Sequence, residues 1–132
     1  FLHFVDFSDL NNPIEVARYE LPGHGSHNYW IKDDILYVAM YTGGLRVVDI
    51  SGDLLGDLYK QDREIGYLLT GSPNGYIPND TMVWGAQLYK GHVFYSDFNT
   101  GLGAAKVSSN KPDNSKTNQY INWFSLKFKS KV

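Results

Sequence analysis

Short runs of alternating apolar residues, separated by turn residues, dominate this chain. The clearest run, residues 35–41 (ILYVAMY), carries apolar side chains on both of its alternating faces. A β-strand that is buried on both faces has this pattern. No stretch keeps apolar residues at the i, i+3, i+4, i+7 spacing of an amphipathic helix. We therefore predict strands throughout, with helix as a minor component at most.

One of these runs recurs along the chain. Residues 2–8 (LHFVDFS) are repeated 43 positions later as residues 45–51 (LRVVDIS), and a weaker copy follows 57 positions after that, at residues 102–108 (LGAAKVS). The offset of 57 also aligns residues 35–39 with residues 92–96. A period of ~40–50 residues is typical of the four-stranded blades of β-propellers.

The most complete copy of the repeat spans residues 26–70, and it divides into four strands. We predict these strands at residues 28–32, 35–41, 45–50 and 64–69. The first turn is Asp33-Asp34, and the second contains glycines, which supply the positive φ of tight hairpins. An insertion at residues 52–62 carries three leucines, and we expect a short helical turn or a loop that buries them on the blade face.

These elements predict an all-β fold made of four-stranded antiparallel blades of a β-propeller. The chain supplies about two and a half blades, because the repeat accounts for a partial blade at 1–21, a full blade at 26–70 and a partial blade at 82–108. Closed propellers have at least ~4 blades. We therefore expect the propeller to be incomplete here, and its open faces to be covered by further blades of the same polypeptide or by other protein subunits.

The last segment, residues 109–132, is a basic tail outside the repeat. Within it, residues 118–128 (NQYINWFSLKF) have the composition of a strand. This strand closes the last blade as its fourth member, or it lies across a partner as an added strand.

The distribution of charge along the chain bears on which partners are expected. Net charge is −2, but residues 1–108 carry 13 acidic and 7 basic residues, whereas residues 109–132 carry five lysines and one aspartate. An acidic body argues against a nucleic-acid partner, which requires clustered Lys and Arg. The basic tail is either a solvated end or a contact to an acidic surface, as in peripheral association with a membrane complex. No apolar run reaches the ~18 residues that a transmembrane segment needs.

Residues 45–49 (LRVVD) and 2–6 (LHFVD) resemble the Leu-Val-Ile-Val-Asp strand of the LVIVD-repeat family. Residues 25–63 and 84–97 resemble the C-terminal blades of bacterial envelope proteins of this type. The resemblance implies a β-propeller-like fold and an extracytoplasmic location, periplasmic or at the cell surface. It implies no catalytic residues, because the family has none to carry over. The third copy departs from the pattern, with Gly103, Ala104 and Ala105 in place of large apolar residues.

Two histidines are candidate metal ligands. His24 and His27 have H-x-x-H spacing, with Asp33 and Asp34 nearby. In an extended segment this spacing sends the two side chains to opposite faces, unlike the same spacing on a helix. We therefore favour a structural role, in which His27 bonds to a neighbouring strand or blade. We predict no cofactor and keep a divalent metal at these histidines as the alternative.

No catalytic set is predicted. His92, Ser96 and Asp97 are close in sequence, but they lack the strand–turn–helix elbow that a nucleophilic serine requires. Asp6 and Asp49 end their strands, and we expect each to accept a backbone N–H bond from the turn that follows.

Aromatic residues outside the repeat core are candidate interface anchors, since Tyr and Trp dominate binding hot spots. We select Tyr76 and Ile77 in the inter-blade loop, with Trp123 and Phe124 in the tail. The predicted function is a non-catalytic β-propeller module for protein–protein binding or assembly in an extracytoplasmic complex. The alternative is an enzyme or metal-binding propeller with a site near His24 and His27 that is completed by blades not present here.

Overall fold

The computed structural model describes residues 1–106 and the backbone of residues 124–126. These residues contain no helix. Their strands are β1 (Leu2–Asp6), β2 (Ile14–Tyr19), β3 (Tyr29–Lys32), β4 (Ile35–Ala39), β5 (Leu45–Asp49), β6 (Gly56–Asp57), β7 (Glu64–Leu68), β8 (Val83–Tyr89), β9 (His92–Asp97), β10 (Gly101–Lys106) and β11 (Phe124–Leu126).

The strands form three sheets, which we call blades 1, 2 and 3. Their strand orders are β1-β2-β6, β3-β4-β5-β7 and β11-β10-β9-β8. Every pairing is antiparallel except that of β2 with β6, which is parallel. Blades 2 and 3 are four-stranded meanders, and none of the described sheets closes on itself. The prediction of an all-β fold built from incomplete propeller blades is confirmed.

Two-residue turns set the register of the hairpins that begin blades 2 and 3. Asp33 and Asp34 have φ of 51° and 57°, and Lys90 and Gly91 have φ of 47° and 75°. Two consecutive residues with positive φ give the type I′ turn, whose twist matches that of the flanking strands. The pairs Lys32 with Ile35 and Tyr89 with His92 close the two hairpins.

Blade 2 lies between the other two blades, and its central strands β4 and β5 are buried on both faces, whereas its edge strand β3 is exposed. Leu36, Val38 and Met40 pack with blade 1 in one apolar cluster, which also contains Tyr19. Tyr37 and Ala39 pack with blade 3 in a second cluster. Successive residues of a strand point to opposite faces, so this run needs apolar side chains at every position.

Blades 1 and 2 share local geometry as well as sequence. A β-bulge follows Phe4 in β1, and another follows Val47 at the equivalent place in β5. The Asp6 carboxylate accepts the N–H of Ser8 at 2.8 Å. The equivalent bond in blade 2, from the Ser51 N–H to Asp49, is also 2.8 Å long. The predicted turns after both strands are confirmed.

A polar contact joins these two blades within their apolar interface. The Arg46 guanidinium lies 3.0 Å from the carboxylate of Glu64, and both side chains are largely buried. The Tyr19 hydroxyl of blade 1 donates to the other oxygen of Glu64. Burial raises the pKa of Tyr19 strongly, and the negative charge of Glu64 raises it further. The phenol therefore stays a neutral donor at any physiological pH.

Of the two forms expected for the insertion at residues 52–62, the structure has the loop. It forms no helical turn, and its strand β6 pairs in parallel with β2 of blade 1. Leu58 is fully buried and Leu54 packs beside it, whereas Leu55 is exposed. Two of the three leucines therefore pack in the cluster between blades 1 and 2, as the loop form predicts.

Strand β11 pairs antiparallel with β10 and forms the fourth strand of blade 3. The rest of the strand predicted at residues 118–128 lies outside the described residues. So does the predicted boundary between the blades and the tail at residues 108 and 109.

The close contact between the turn before β5 and strand β7 gives a test of the fold. A Cβ on Gly44, where φ is +81°, would lie 2.3 Å from the carbonyl oxygen of Leu68. We expect Gly44→Ala to lower the free energy of unfolding by about 3 kcal/mol, from left-handed strain plus the clash.

Gly52→Ala is the matched control, because Gly52 has φ of +67° but no atom within 4 Å of its added Cβ. It should cost only about 1 kcal/mol. Urea unfolding of both variants checks this, and equal losses would contradict the observed approach of Gly44 to β7.

Candidate protein-binding site

The loop that joins blade 2 to blade 3, residues 71–81, is held against the turn between β9 and β10. The Asn99 side chain accepts the N–H of Ile77 at 2.5 Å and donates to the carbonyls of Ile77 and Asp80 at 2.7 and 2.8 Å. The Asn99 carbonyl accepts the N–H of Tyr76 at 3.1 Å. One asparagine therefore satisfies four backbone groups of the loop and orders it without a hydrophobic core.

Asp97, the last residue of β9, holds both ends of this loop and the adjacent turn. Its Oδ1 accepts the N–H groups of Asn99 at 2.7 Å and Thr100 at 2.9 Å. Its Oδ2 accepts the N–H of Met82 at 2.9 Å and the hydroxyl of Thr70. The carboxylate thus fixes β9, the end of blade 2 and the start of β8 relative to one another.

The Asp97 carboxyl is buried, and burial alone would raise its pKa. The hydrogen bonds from Thr70, Met82, Thr100 and Asn99 outweigh that effect and bring its pKa below the ordinary value. A carboxylate that accepts several donors stays ionised even when desolvated. Asp97 is therefore a structural anion. All of its described hydrogen-bond donors belong to the strand ends, the turn and the loop ends that it holds together.

This scaffold presents large apolar side chains to solvent. Tyr76 is 91% exposed and Ile77 is 54% exposed, although their backbones are hydrogen-bonded. Phe98, on the supporting turn, is also exposed, and its ring stacks edge-on against Trp84 with 4.4 Å between centroids. An ordered backbone with an exposed aromatic side chain loses little entropy when it binds, which suits an interface anchor.

A cleft of about 480 Å³ lies between the loop and blade 3. Thr70, Ser72, Asn74 and Asn99 contribute polar groups to its wall, and Leu102 contributes an apolar side chain. Its described lining contains no charged residue. Neutral hydrogen-bonding groups beside an apolar surface fit a peptide segment or an uncharged polar side chain.

The two histidines point to different neighbours. His27 Nδ1 lies 3.0 Å from the Trp84 carbonyl of blade 3, and its ring stacks on the Trp84 ring at 3.8 Å between centroids. His24 Nδ1 instead lies 2.9 Å from the Thr42 hydroxyl of its own blade. Among the described residues, no group of three or more His, Asp or Glu side chains is arranged to hold a metal.

The structure places the predicted anchors Tyr76 and Ile77 together on the braced loop. Trp123 lies outside the described residues, and only the backbone of Phe124 is described, in β11. Sequence reasoning missed Phe98, Asn99 and the central role of Asp97. The run of Asp, Asn, Thr and Gly at residues 97–101 indicates a hydrogen-bonded turn. It does not indicate that this turn supports a loop about 20 residues earlier in the chain.

Residues 25–53, which span β3, β4 and β5, match the protein-family model described as the LVIVD repeat. This segment is similar to the LVIVD repeat. The resemblance seen in the sequence is thereby confirmed, and the repeat coincides with three strands of blade 2. Comparison with curated proteins and with solved structures found no match.

The segment that matches the LVIVD repeat contacts the candidate site through His27 and Tyr41. Both rings contact Trp84 of blade 3, and the Tyr41 centroid lies 5.6 Å from that of Trp84. The Tyr41 backbone also forms an isolated bridge to Val83. The repeat therefore positions the start of β8, on which the loop ends. No helix in the described part of the chain is long and apolar enough to cross a membrane.

Asp97 gives a prediction on stability and pH. Asp97→Asn should lower the free energy of unfolding by about 2–4 kcal/mol, because an amide nitrogen would face backbone donors in place of an oxygen. The folded-state pKa of Asp97 lies below its ordinary value. The stability it contributes is therefore full above about pH 4 and is lost as the pH falls through that folded pKa.

Denaturant unfolding at pH 7 and between pH 2 and 5 measures both effects. Asp6→Asn, at a fully exposed carboxylate with a single turn to cap, should change stability much less than Asp97→Asn does. If the Asp97 variant kept the acid dependence of the parent chain, another group would be responsible for it.

His27 gives a second prediction. His27→Ala should cost about 1–2 kcal/mol at pH 7, from the lost stacking on Trp84 and the lost bond to its carbonyl. Excess Zn²⁺ should leave the melting temperature of both proteins unchanged. A rise in the parent chain that is absent from the variant would instead support the metal-binding alternative.

Proposed function

We propose that this chain is a non-catalytic β-propeller module that binds other proteins in an extracytoplasmic assembly. The observation that carries the proposal is Tyr76, a nearly fully exposed aromatic side chain on a loop whose backbone is already hydrogen-bonded. A solvent-exposed tyrosine stabilises the isolated fold very little. Its placement suits a contact made on binding, in which a rigid aromatic anchor enters a pocket of the partner.

The surroundings of Tyr76 favour protein as the partner. Ile77 and Phe98 add apolar area, and the adjoining cleft offers neutral hydrogen-bonding groups. This combination of an apolar centre and a polar, uncharged rim is typical of protein interfaces. The acidic balance of residues 1–108 makes nucleic acid an unfavourable partner.

The extracytoplasmic location rests on the resemblance to envelope proteins with LVIVD repeats. Within such an assembly, the partners would be other subunits or further blades of the same polypeptide. The five lysines of residues 109–132 would favour peripheral association with an anionic membrane complex. The alternative is an enzyme or metal-binding propeller centred on His24 and His27 and completed by further blades. A rise in melting temperature with Zn²⁺ that is lost in His27→Ala would support it.

A photo-crosslinking amino acid at position 76 tests the proposal in the cells that produce the protein. We expect a discrete crosslinked protein band, and fractionation should place that band outside the cytoplasm. Position 10 is the control, because Leu10 is also an exposed apolar residue but lies in a turn of blade 1 far along the chain. Equal crosslinking from both positions, or none from position 76, would contradict the proposal.

A further inference from the structure

The cleft of about 480 Å³ between blade 3 and the loop at residues 71–81 has no counterpart at the junction of blades 1 and 2. The repeat offset of 57 places Gly43 over Thr100, and the strand pairing of the two blades agrees with it. A Cβ on Gly43 would lie 2.7 Å from Leu21 and 3.1 Å from the ring of His24, so that place is filled. The connection from β7 to β8 is longer than that from β2 to β3, and it leaves the space beside Thr100 open. The cleft is therefore a feature of this particular loop.

The wall of the cleft contains a hydroxyl whose proton is already committed. Thr70 is only 9% exposed, and its Oγ1 donates to Oδ2 of Asp97. Asp97 cannot donate in return, because its oxygens also accept three main-chain N–H groups and it stays ionised. A hydroxyl has one proton and two lone pairs. Thr70 can therefore only accept a hydrogen bond from a group that enters the cleft.

Other fixed donors of the wall are used by the loop itself. The N–H of Gly71 donates to the Thr81 hydroxyl at 3.0 Å, and the N–H of Gly75 donates to the Ser72 carbonyl at 3.0 Å. Both hydrogens of the Asn99 amide are bound to carbonyls of the loop, at 2.7 and 2.8 Å. These donors hold the scaffold together and are not available to a ligand. The fixed groups of the wall therefore favour a ligand that brings its own N–H donors.

Two adaptable side chains stand beside these fixed groups. Asn74 and Thr100 line the cleft and are exposed. Among the described residues, the structure gives neither side chain a hydrogen-bond partner, although both main-chain N–H groups are bonded. The Asn74 amide has two donors and an acceptor, and the Thr100 hydroxyl rotates to donate or accept. Either side chain can therefore donate to an oxygen of the ligand.

The charge around the cleft selects against ionised ligands. Its described lining contains no charged residue, and the nearest charge behind Thr70 is the negative carboxylate of Asp97. An anion would be repelled by that carboxylate. A cation would lose water without a carboxylate to pair with, because both oxygens of Asp97 already accept hydrogen bonds. A neutral group that carries both an N–H donor and an oxygen acceptor fits best.

We propose that this cleft binds a carboxamide side chain, glutamine or asparagine, of the partner protein. The carboxamide NH₂ donates to Thr70 Oγ1, and its oxygen accepts from the Asn74 amide or the Thr100 hydroxyl. Tyr76 follows Gly75 of the cleft wall directly, so one partner surface can meet both the aromatic anchor and the cleft. The inference rests on the proposed function for the partner being a protein, and it adds which side chain of that partner is recognised.

Three small probes of equal size test this chemistry without the partner. The N-acetyl, N-methylamide derivatives of glutamine, glutamate and lysine present a carboxamide, a carboxylate and an ammonium group on the same backbone. Chemical-shift titration of the isotope-labelled 132-residue chain measures each affinity. A ligand of this size should bind with a Kd of about 1 mM. We expect the glutamine derivative to shift the resonances of Thr70, Asn74 and Thr100, and to bind at least about fivefold more tightly than the other two.

Two variants of the wall locate the bound probe. Asn74→Asp removes the amide donors and adds a negative charge, and Thr100→Val removes the hydroxyl but keeps the main-chain bond to Asp97. Each should weaken binding of the glutamine derivative at least about threefold. Asn11→Asp is the matched control, because Asn11 is exposed in the turn between β1 and β2. It should leave binding unchanged. The replaced side chains are all exposed, so the variants should fold.

Several results would overturn the inference. These are no binding of the glutamine derivative, equal or tighter binding of the glutamate or lysine derivative, and binding that neither wall variant weakens. Tighter binding of methyl β-glucoside at the same resonances would assign the cleft to carbohydrate and would also overturn it. Crosslinking from position 76 is a separate result. A crosslinked partner without selectivity for glutamine overturns only this inference, whereas selectivity without a crosslinked partner overturns only the proposed function.

Discussion

Burial of β4 and β5, the central strands of blade 2, on both faces is the constraint on which the rest of the structure depends. Strands that are apolar on both sides cannot face water on either, so they hold blade 1 against Leu36, Val38 and Met40 and blade 3 against Tyr37 and Ala39. Among the described residues, neither outer blade is covered in the same way on its far side. Blade 2 is therefore the part of the described fold that takes part in both apolar clusters.

Hydrogen bonds determine how the stacked blades are aligned, because apolar contact by itself has little directionality. Between blades 1 and 2, the buried pair of Arg46 and Glu64 receives the Tyr19 hydroxyl. Between blades 2 and 3, the Asp97 carboxylate binds groups from both. A buried charge without its partners is costly, so each cluster favours a single arrangement of its two blades.

These anchors also explain why the exposed aromatic residues are ordered. The bonds of Asp97 and Asn99 fix the backbone around Tyr76 and Ile77, and this leaves their side chains without a structural task in the described chain. An ordered loop backbone with exposed side chains is the basis of the function proposed above.

The sequence by itself determined the strands of blade 2, the turns at Asp33-Asp34 and after Asp6 and Asp49, and the repeat, because these depend on local φ preferences and on period-two alternation. It also identified Tyr76 and Ile77 as loop residues. Only the tertiary structure decided that β6 joins blade 1, that Asn99 braces the loop and that Tyr29 is exposed while Ala86 is buried. Those features depend on which segments meet across long stretches of chain, and local patterns carry no information about such contacts.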